Sequence, residues 1–397
     1  MRFSILLAPG LVYAAVAPNT TVAQSIDDDA RVVELRSSCL VDGTMLHNCF
    51  ETSAELTDWL WVNAGTGTGR ASEPNSLEPV TVRVGPGSFD RFDCEGSGMR
   101  GFVSVEGAGR DVTRFVADVP VFYSPVGACR GGVTALGCTN LSFRNITAEG
   151  FAGVLWTGAG DSQWQDVDMF VENVDATNCL SEAFAWYDVL SAGGLHFFWN
   201  TRFEAVGSTG ATNAFRNNGA EVWAYGSDFF VRRVGNISVG SPTAIQSAAP
   251  DGMRLFGSTV RGKVDADAGG GSVLGIQALG QGQVHVHGSI ISIDASAHPA
   301  GAAIAISVGA GATVHTPETA FALKGSTRIR LLNLGGTIES PFLWPSGTTP
   351  PDILSQTGAD LFVKTNEGPG QNEPRLLIYD SGCSPDPWRR VSDDTCL

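Results

Sequence analysis

The sequence predicts an all-β fold: a parallel β-helix, or solenoid, with an N-terminal helical cap and a disulfide-stapled C-terminal tail. Two observations carry this expectation, a strand-length apolar alternation broken by glycine corners and a segment that recurs at a fixed step. In VTVRVGPGSF (80–89), Val80, Val82 and Val84 fall at every second position, the period of a half-buried strand. Gly85-Pro86-Gly87 ends the run, because proline lacks a ladder donor and glycine tolerates positive φ. FVSVEGAGRDVTRFV (102–116) repeats the pattern, with Gly107 and Gly109 at the break. Further on, EVWAYGSDFF, GMRLFGSTVR and QVHVHGSIIS carry Gly-Ser pairs at 226, 257 and 288, a step of 31 residues taken twice. TVHTPETAF (313–321) continues the series weakly. LHFFWNTRF, SQWQDVDMF and LSFRNITAE extend it backwards, with Asn200, Asp166 and Asn145 in place of the glycine. Such a repeat means a solenoid. No sustained 3.6-residue period supports a helical repeat, and an antiparallel sandwich would not need one pattern at equal steps.

The remaining elements follow in chain order. MRFSILLAPGLVYAAVAPNTTVAQ reads as a secretory signal peptide over residues 1–23, so the protein is expected to be secreted, extracellular or periplasmic. Residues 24–79 form the cap region, with TSAELTDWLWV as an amphipathic helix plugging the first coil. The helix of coils spans 80–340, uniform in its glycine-rich, β-branched texture, and 341–397 is a capping tail with strands at DLFVKT and PRLLIYD. Eight cysteines without a C-x-x-C pair suit an oxidising compartment rather than a zinc site. Cys39–Cys49 and Cys383–Cys396 each enclose a short loop and are the expected bridges; the pairing of Cys94, Cys129, Cys138 and Cys179 stays open. A net charge of −16 excludes nucleic acid as a partner. No other segment approaches the roughly 18 apolar residues of a membrane span, so no membrane partner is expected.

Strand parity sorts the side chains. With Val222, Ala224, Met253, Leu255, Val284 and Val286 inward, two parallel columns stand on one outer face. The first is Ser142, Gln163, Phe197, Trp223, Arg254, His285 and His315; the second is Arg144, Gln165, Trp199, Tyr225, Phe256 and His287. Aromatic rings among Gln, Arg and His suit a sugar, whose C–H face stacks on a ring while its hydroxyls meet polar groups. Gln163, Gln165, Trp199, Trp223, Tyr225, Arg254, His285 and His287 are therefore the candidate substrate-binding residues, and a polysaccharide is the expected partner. The competing reading has a long loop, 171–194 or 231–251, folding over and burying the aromatics. The histidines read as surface residues; no metal and no cofactor is expected. Catalysis on a sugar polymer calls for paired carboxylates or an activated nucleophile, and the columns as read contain no Asp or Glu. Asp166 falls in the corner series with Asn145 and Asn200. Asp161, Glu172, Glu182, Asp188, Glu204 and Asp228 are read as turn or loop residues. Asp166 and Asp188 are the catalytic candidates.

VTVRVGPGSF followed by VSVEGAGRDVTRFV resembles the first coil of the pectinesterase and pectin-lyase-like superfamily. The matching positions are Val82, Val84, Pro86, Gly87, Phe89, Val105, Gly107, Gly109, Arg110 and Thr113, and LSFRNITAEGF (141–151) resembles the next coil. The likeness covers roughly 80–160. It implies a right-handed, single-stranded parallel β-helix that binds, and on one reading modifies, an extracellular polysaccharide of the uronic-acid type. The alternatives are a non-catalytic structural or surface-interaction protein and a divergent pectinesterase-like hydrolase, so enzymatic activity is left open between esterase, lyase and none. Pectinesterases carry a Gln-Asp-Thr motif; here Gln165-Asp166 is followed by Val, and Asp188 in WYDVLSAGG is nearest to the family's second aspartate. The polygalacturonase and pectate-lyase signatures are absent.

Overall fold

A computed structural model describes residues 31–64, 74–75, 79–93, 101–117, 122–123, 128–129, 131–136, 140–150, 152–157, 160–173, 182–188, 194–208, 211–235, 241–250, 252–269, 271–339, 346–347, 361–364, 375–379 and 388–390. Among these, three parallel sheets of twelve, nine and nine strands form the sides of a coil. The chain visits them in turn. Val80–Val84 lies in the first sheet, Gly87–Asp90 in the second and Phe92–Asp93 in the third, and the next circuit begins at Val103–Gly107. Crossovers between parallel strands of L residues are right-handed as a rule, because of strand twist. The fold is a parallel β-helix.

Parity holds through the coil. Val80, Val82 and Val84 are buried, as are Val222 with Ala224, Met253 with Leu255, and Val284 with Val286. Larger side chains fill the middle coils: Phe143 stacks on Trp164 with centroids 4.3 Å apart, and Trp186 on Phe215 at 5.8 Å. Each such ring contributes about 1.5–3 kcal/mol by leaving water.

The corner after each first-sheet strand needs a left-handed residue. Asn145, Asp166 and Asn200 take it at φ of 55°, 53° and 48°, and Gly226, Gly257 and Gly288 at 56°, 55° and 53°. The serine after each glycine turns inward and links the coils. The Ser227 amide donates to Ser258 Oγ at 3.2 Å, and the Ser258 amide to Ser289 Oγ at 3.1 Å. The 31-residue Gly-Ser step is thus one corner, repeated. At Gly107 the reason for glycine differs, since a Cβ would stand 2.2 Å from the carbonyl oxygen of Asn145 in the next coil.

At the N-terminal end, Val32–Leu35 pairs with Val80–Val84, and Cys49–Phe50 pairs beyond it, tied by the Cys39–Cys49 disulfide. The predicted helix runs Ser53–Ala64. Thr52 caps it by accepting the Glu55 amide at 3.2 Å, and Leu56, Trp59 and Leu60 bury one face in the core. A four-stranded sheet includes Leu361–Lys364 and Arg375–Tyr379, the two strands expected in the tail. The signal peptide, the Cys383–Cys396 bridge and the side chains of the four middle cysteines lie outside the described residues. Among the described residues, no helix is long and apolar enough to cross a membrane.

Two expectations are corrected. Glu172, Glu182, Asp188, Glu204 and Asp228 lie within strands rather than in turns or loops; only Asp161 lies outside one. The segments 171–194 and 231–251 are likewise not single loops. They supply strands such as Glu182–Asp188 and Thr243–Ser247 to the coil, because each circuit needs second- and third-sheet strands there.

Candidate functional site

The first sheet stacks the predicted columns rung on rung. Ser142 pairs with Gln163, Gln163 with Phe197, Phe197 with Trp223, Trp223 with Arg254, Arg254 with His285 and His285 with His315. Arg144, Gln165, Trp199, Tyr225, Phe256 and His287 stack beside them. Both columns extend to carboxylates beyond the residues read from sequence. Glu339 follows His315, with 3.1 Å between its Oε2 and His315 Nδ1, and Glu106 precedes Arg144 at 4.0 Å.

Rung spacing decides what the rings present to solvent. Trp199 and Tyr225 are within 11° of parallel with centroids 6.2 Å apart; Tyr225 and Phe256 are 12° and 5.0 Å apart, and Phe256 and His287 10° and 5.1 Å. Parallel rings at such separations form offset stacks, face over face. The ladder's faces therefore cover one another and its edges look outward. Trp199 ends its column, since its other column neighbour is Gln165, which has no ring, and its second ring partner is Phe197 on the same strand, 5.3 Å away and within 12° of parallel. At 36% exposure, Trp199 is the most open ring of the ladder, and the Gln163–Gln165 rung beside it is exposed.

Trp223 sits deeper. Its indole N–H donates to Glu221 at 2.9 Å, and the Arg254 guanidinium lies 4.9 Å over the ring while also bonding Glu221. Glu221 stands two residues before Trp223, one position outside the columns read from sequence, and so it escaped the sequence reading. At the far end, His285 and His315 stack at 4.1 Å; burial, then the charges of His315, Arg254 and His287, push His285 down to about 4. Among the described residues, no group of three or more His, Cys, Asp and Glu is placed to hold a metal.

The two catalytic candidates part company. Asp166 occupies the left-handed corner, accepting Asn200 Nδ2 at 2.6 Å and Gln165 Nε2 at 3.2 Å. Asp188 is 1% exposed at the end of a third-sheet strand and accepts the amides of Gly219 and Ala220 at 3.1 and 3.2 Å. That fixes a turn in the next coil and keeps the carboxylate off the first-sheet face. A Ser–His contact also occurs, Ser162 Oγ to His196 Nδ1 at 2.6 Å, but both residues lie in the core at 1% and 0% exposure. Ser162 Oγ also accepts the Trp164 indole N–H at 2.7 Å, which holds the hydroxyl between the two rings. Trp156 and Trp186 enclose that ring edge-on, 5.1 and 5.4 Å away. No substrate reaches this pair.

On the second sheet, around the Asp166–Asn200 corner, lies a cleft of about 430 Å³ that sequence reading missed. Its lining includes Arg110, Arg114, Glu149, Asp168, Phe170, Arg202 and Glu204.

No family model and no curated protein matches the chain. Solved structures do. A pectin methylesterase from carrot is 15% identical, with a TM-score of 0.49, over 77% of this chain and 88% of that one. The rice weevil pectin methyl esterase is 11% identical with a TM-score of 0.42, covering 79% and 90%. A pectin methylesterase from Erwinia chrysanthemi is 12% identical with a TM-score of 0.38, covering 73% and 80%. The described residues here take no role from these likenesses; their geometry has to carry any function.

Proposed function

We propose that this chain is a secreted β-helix protein that binds an extracellular polysaccharide on its first sheet, seated at the Trp199 end of the aromatic ladder. The observation that carries the reading is the exposure of Trp199, the most open ring of the ladder and the last of its column, beside the open Gln163–Gln165 rung. A pyranose ring laid there stacks its C–H face on the indole and meets amide donors and acceptors at its rim. Tyr225, Trp223, Arg254, His285 and His287 continue the surface as an edge-on apolar strip with polar flanks. Binding without hydrolysis fits the carboxylates best, for each one on this face has a partner: Glu221 holds Trp223 and Arg254, and Asp166 holds Asn200.

Affinity electrophoresis against a panel of plant and algal polysaccharides tests the proposal, comparing wild type with Trp199→Ala. At least one glycan should retard the wild type, and the variant should lose about tenfold in affinity, the scale of one aromatic contact. Trp223→Ala is the poorer probe, because it also releases Glu221 and Arg254. Absence of retardation of the wild type by every glycan would overturn the reading.

A further inference from the structure

The second-sheet cleft lies one corner along the chain from the Gln165 and Trp199 rungs, and short stretches join them. Gln165 faces the first sheet, Asp166 forms the corner and Asp168 enters the cleft; Trp199, Asn200 and Arg202 do the same one coil later. Arg110 bridges the two coils from the Gly107–Gly109 turn. Its guanidinium donates to the Asn200 carbonyl at 3.1 Å and to Asp168 at 3.4 Å, and it stands 3.9 Å from Asp166. The turn is held in place because Thr147 Oγ1 donates to the Arg110 carbonyl and Thr113 Oγ1 accepts the Ala108 amide at 2.9 Å.

The charges of the cleft say what it can hold. Its lining has three guanidiniums, Arg110, Arg114 and Arg202, against four carboxylates, Asp111, Glu149, Asp168 and Glu204, for a formal charge of −1. Each guanidinium already has a carboxylate: Arg114 bonds Glu149, Arg202 bonds Glu204 and Arg110 bonds Asp168. No cation is left over for an anionic ligand. Asp168 is raised by burial in spite of Arg110 and Arg202, so further negative charge beside it is unfavourable. Neutral hydroxyls, by contrast, can donate to the carboxylates and accept from the guanidiniums at the same time. Phe170, half-buried between Glu149 and Glu204 in its column, offers an apolar wall for C–H groups. The volume falls within the roughly 300–1,000 Å³ of small-molecule sites.

We propose that this cleft is a second saccharide subsite, one corner away from the Trp199 rung and selective for neutral, hydroxyl-rich sugar units over uronates. The proposal deepens the binding function above and rests on it for the polymer that spans both sites.

Calorimetric titration of the full chain with neutral xylan, galactan and glucan oligosaccharides, and separately with oligogalacturonides, tests it at pH 7. A neutral oligosaccharide should bind about tenfold or more tightly than any oligogalacturonide. Asp168→Asn, Arg110→Met and Phe170→Ala should each weaken it about tenfold, with melting temperature tracked by circular dichroism to separate lost binding from lost fold. Disaccharides should keep their affinity in Trp199→Ala, since they fit the cleft alone. If Trp199→Ala abolishes binding while the three cleft variants leave it intact, the cleft is not a subsite, although glycan binding at Trp199 stands. Tighter binding of oligogalacturonides overturns the charge argument, and silence with every saccharide overturns both readings.

Discussion

Acid should unfold this protein through a single buried imidazole. His196 is fully buried, and burial pushes it down to about 3 from the ordinary 6.5. A base with a depressed pKa binds its proton in the unfolded chain before the fold accepts one, so stability is unaffected above pH 6.5 and declines below it. The decline is about 1.4 kcal/mol per pH unit, or about 3 kcal/mol between pH 7 and pH 4, and it levels off only near the folded value. Structure supplies the reason. Nδ1 is already bonded to the Ser162 hydroxyl, and Nε2 faces a wall of tryptophan without a hydrogen-bond partner, so an imidazolium would find no counter-charge. Urea unfolding followed by tryptophan fluorescence from pH 4 to 7.5, on wild type and His196→Phe, measures this directly. Phenylalanine keeps a ring in the core but removes the Ser162–His196 hydrogen bond, a cost of about 1–3 kcal/mol that does not vary with pH. His285 shares the sign of the effect but is present in both proteins and cancels in the difference. The variant should therefore be less stable at pH 7 and show a flatter dependence below pH 6.5. Parallel curves for the two proteins would refute the assignment.

Other expectations are simpler. Gly257→Val should cost about 1–2 kcal/mol in unfolding free energy because of its left-handed corner, and Gly257→Asn less than about half of that, since Asn145 and Asn200 already occupy equivalent corners. Ser258→Ala should cost about 1–3 kcal/mol by leaving the buried Ser227 amide without its acceptor, read from the same urea curves. Replacing both Cys39 and Cys49 by alanine removes a bridge of sequence separation 10 and should cost about 3 kcal/mol on the chain-entropy scale, measured as a lower thermal midpoint.

What the sequence showed and what it hid follow from one geometric fact. Stacked coils repeat the same local choices, so the Val–Val–Val alternation and the Gly-Ser step expose both the fold and the column of each outward residue. Trp223 above Arg254 above His285 could be read because a 31-residue step puts them there. Anything reaching between coils without such a step was invisible. Arg110 meets Asp168 across 58 residues and Asn200 across 90, and Asp188 serves amides 31 and 32 residues away. Nor does a ladder of aromatic letters reveal that its members cover one another's faces. That depends on ring tilt, and it separates the exposed Trp199 from the deeper Trp223, which the sequence could not tell apart.

A crystal structure of the chain with a bound neutral oligosaccharide tests the central claim most directly. A pyranose ring should lie against the Trp199 face beside Gln165, with carbon contacts of about 4–4.5 Å. A saccharide seated on the third sheet, near Tyr187 and Arg216, with Trp199 bare, would contradict the account.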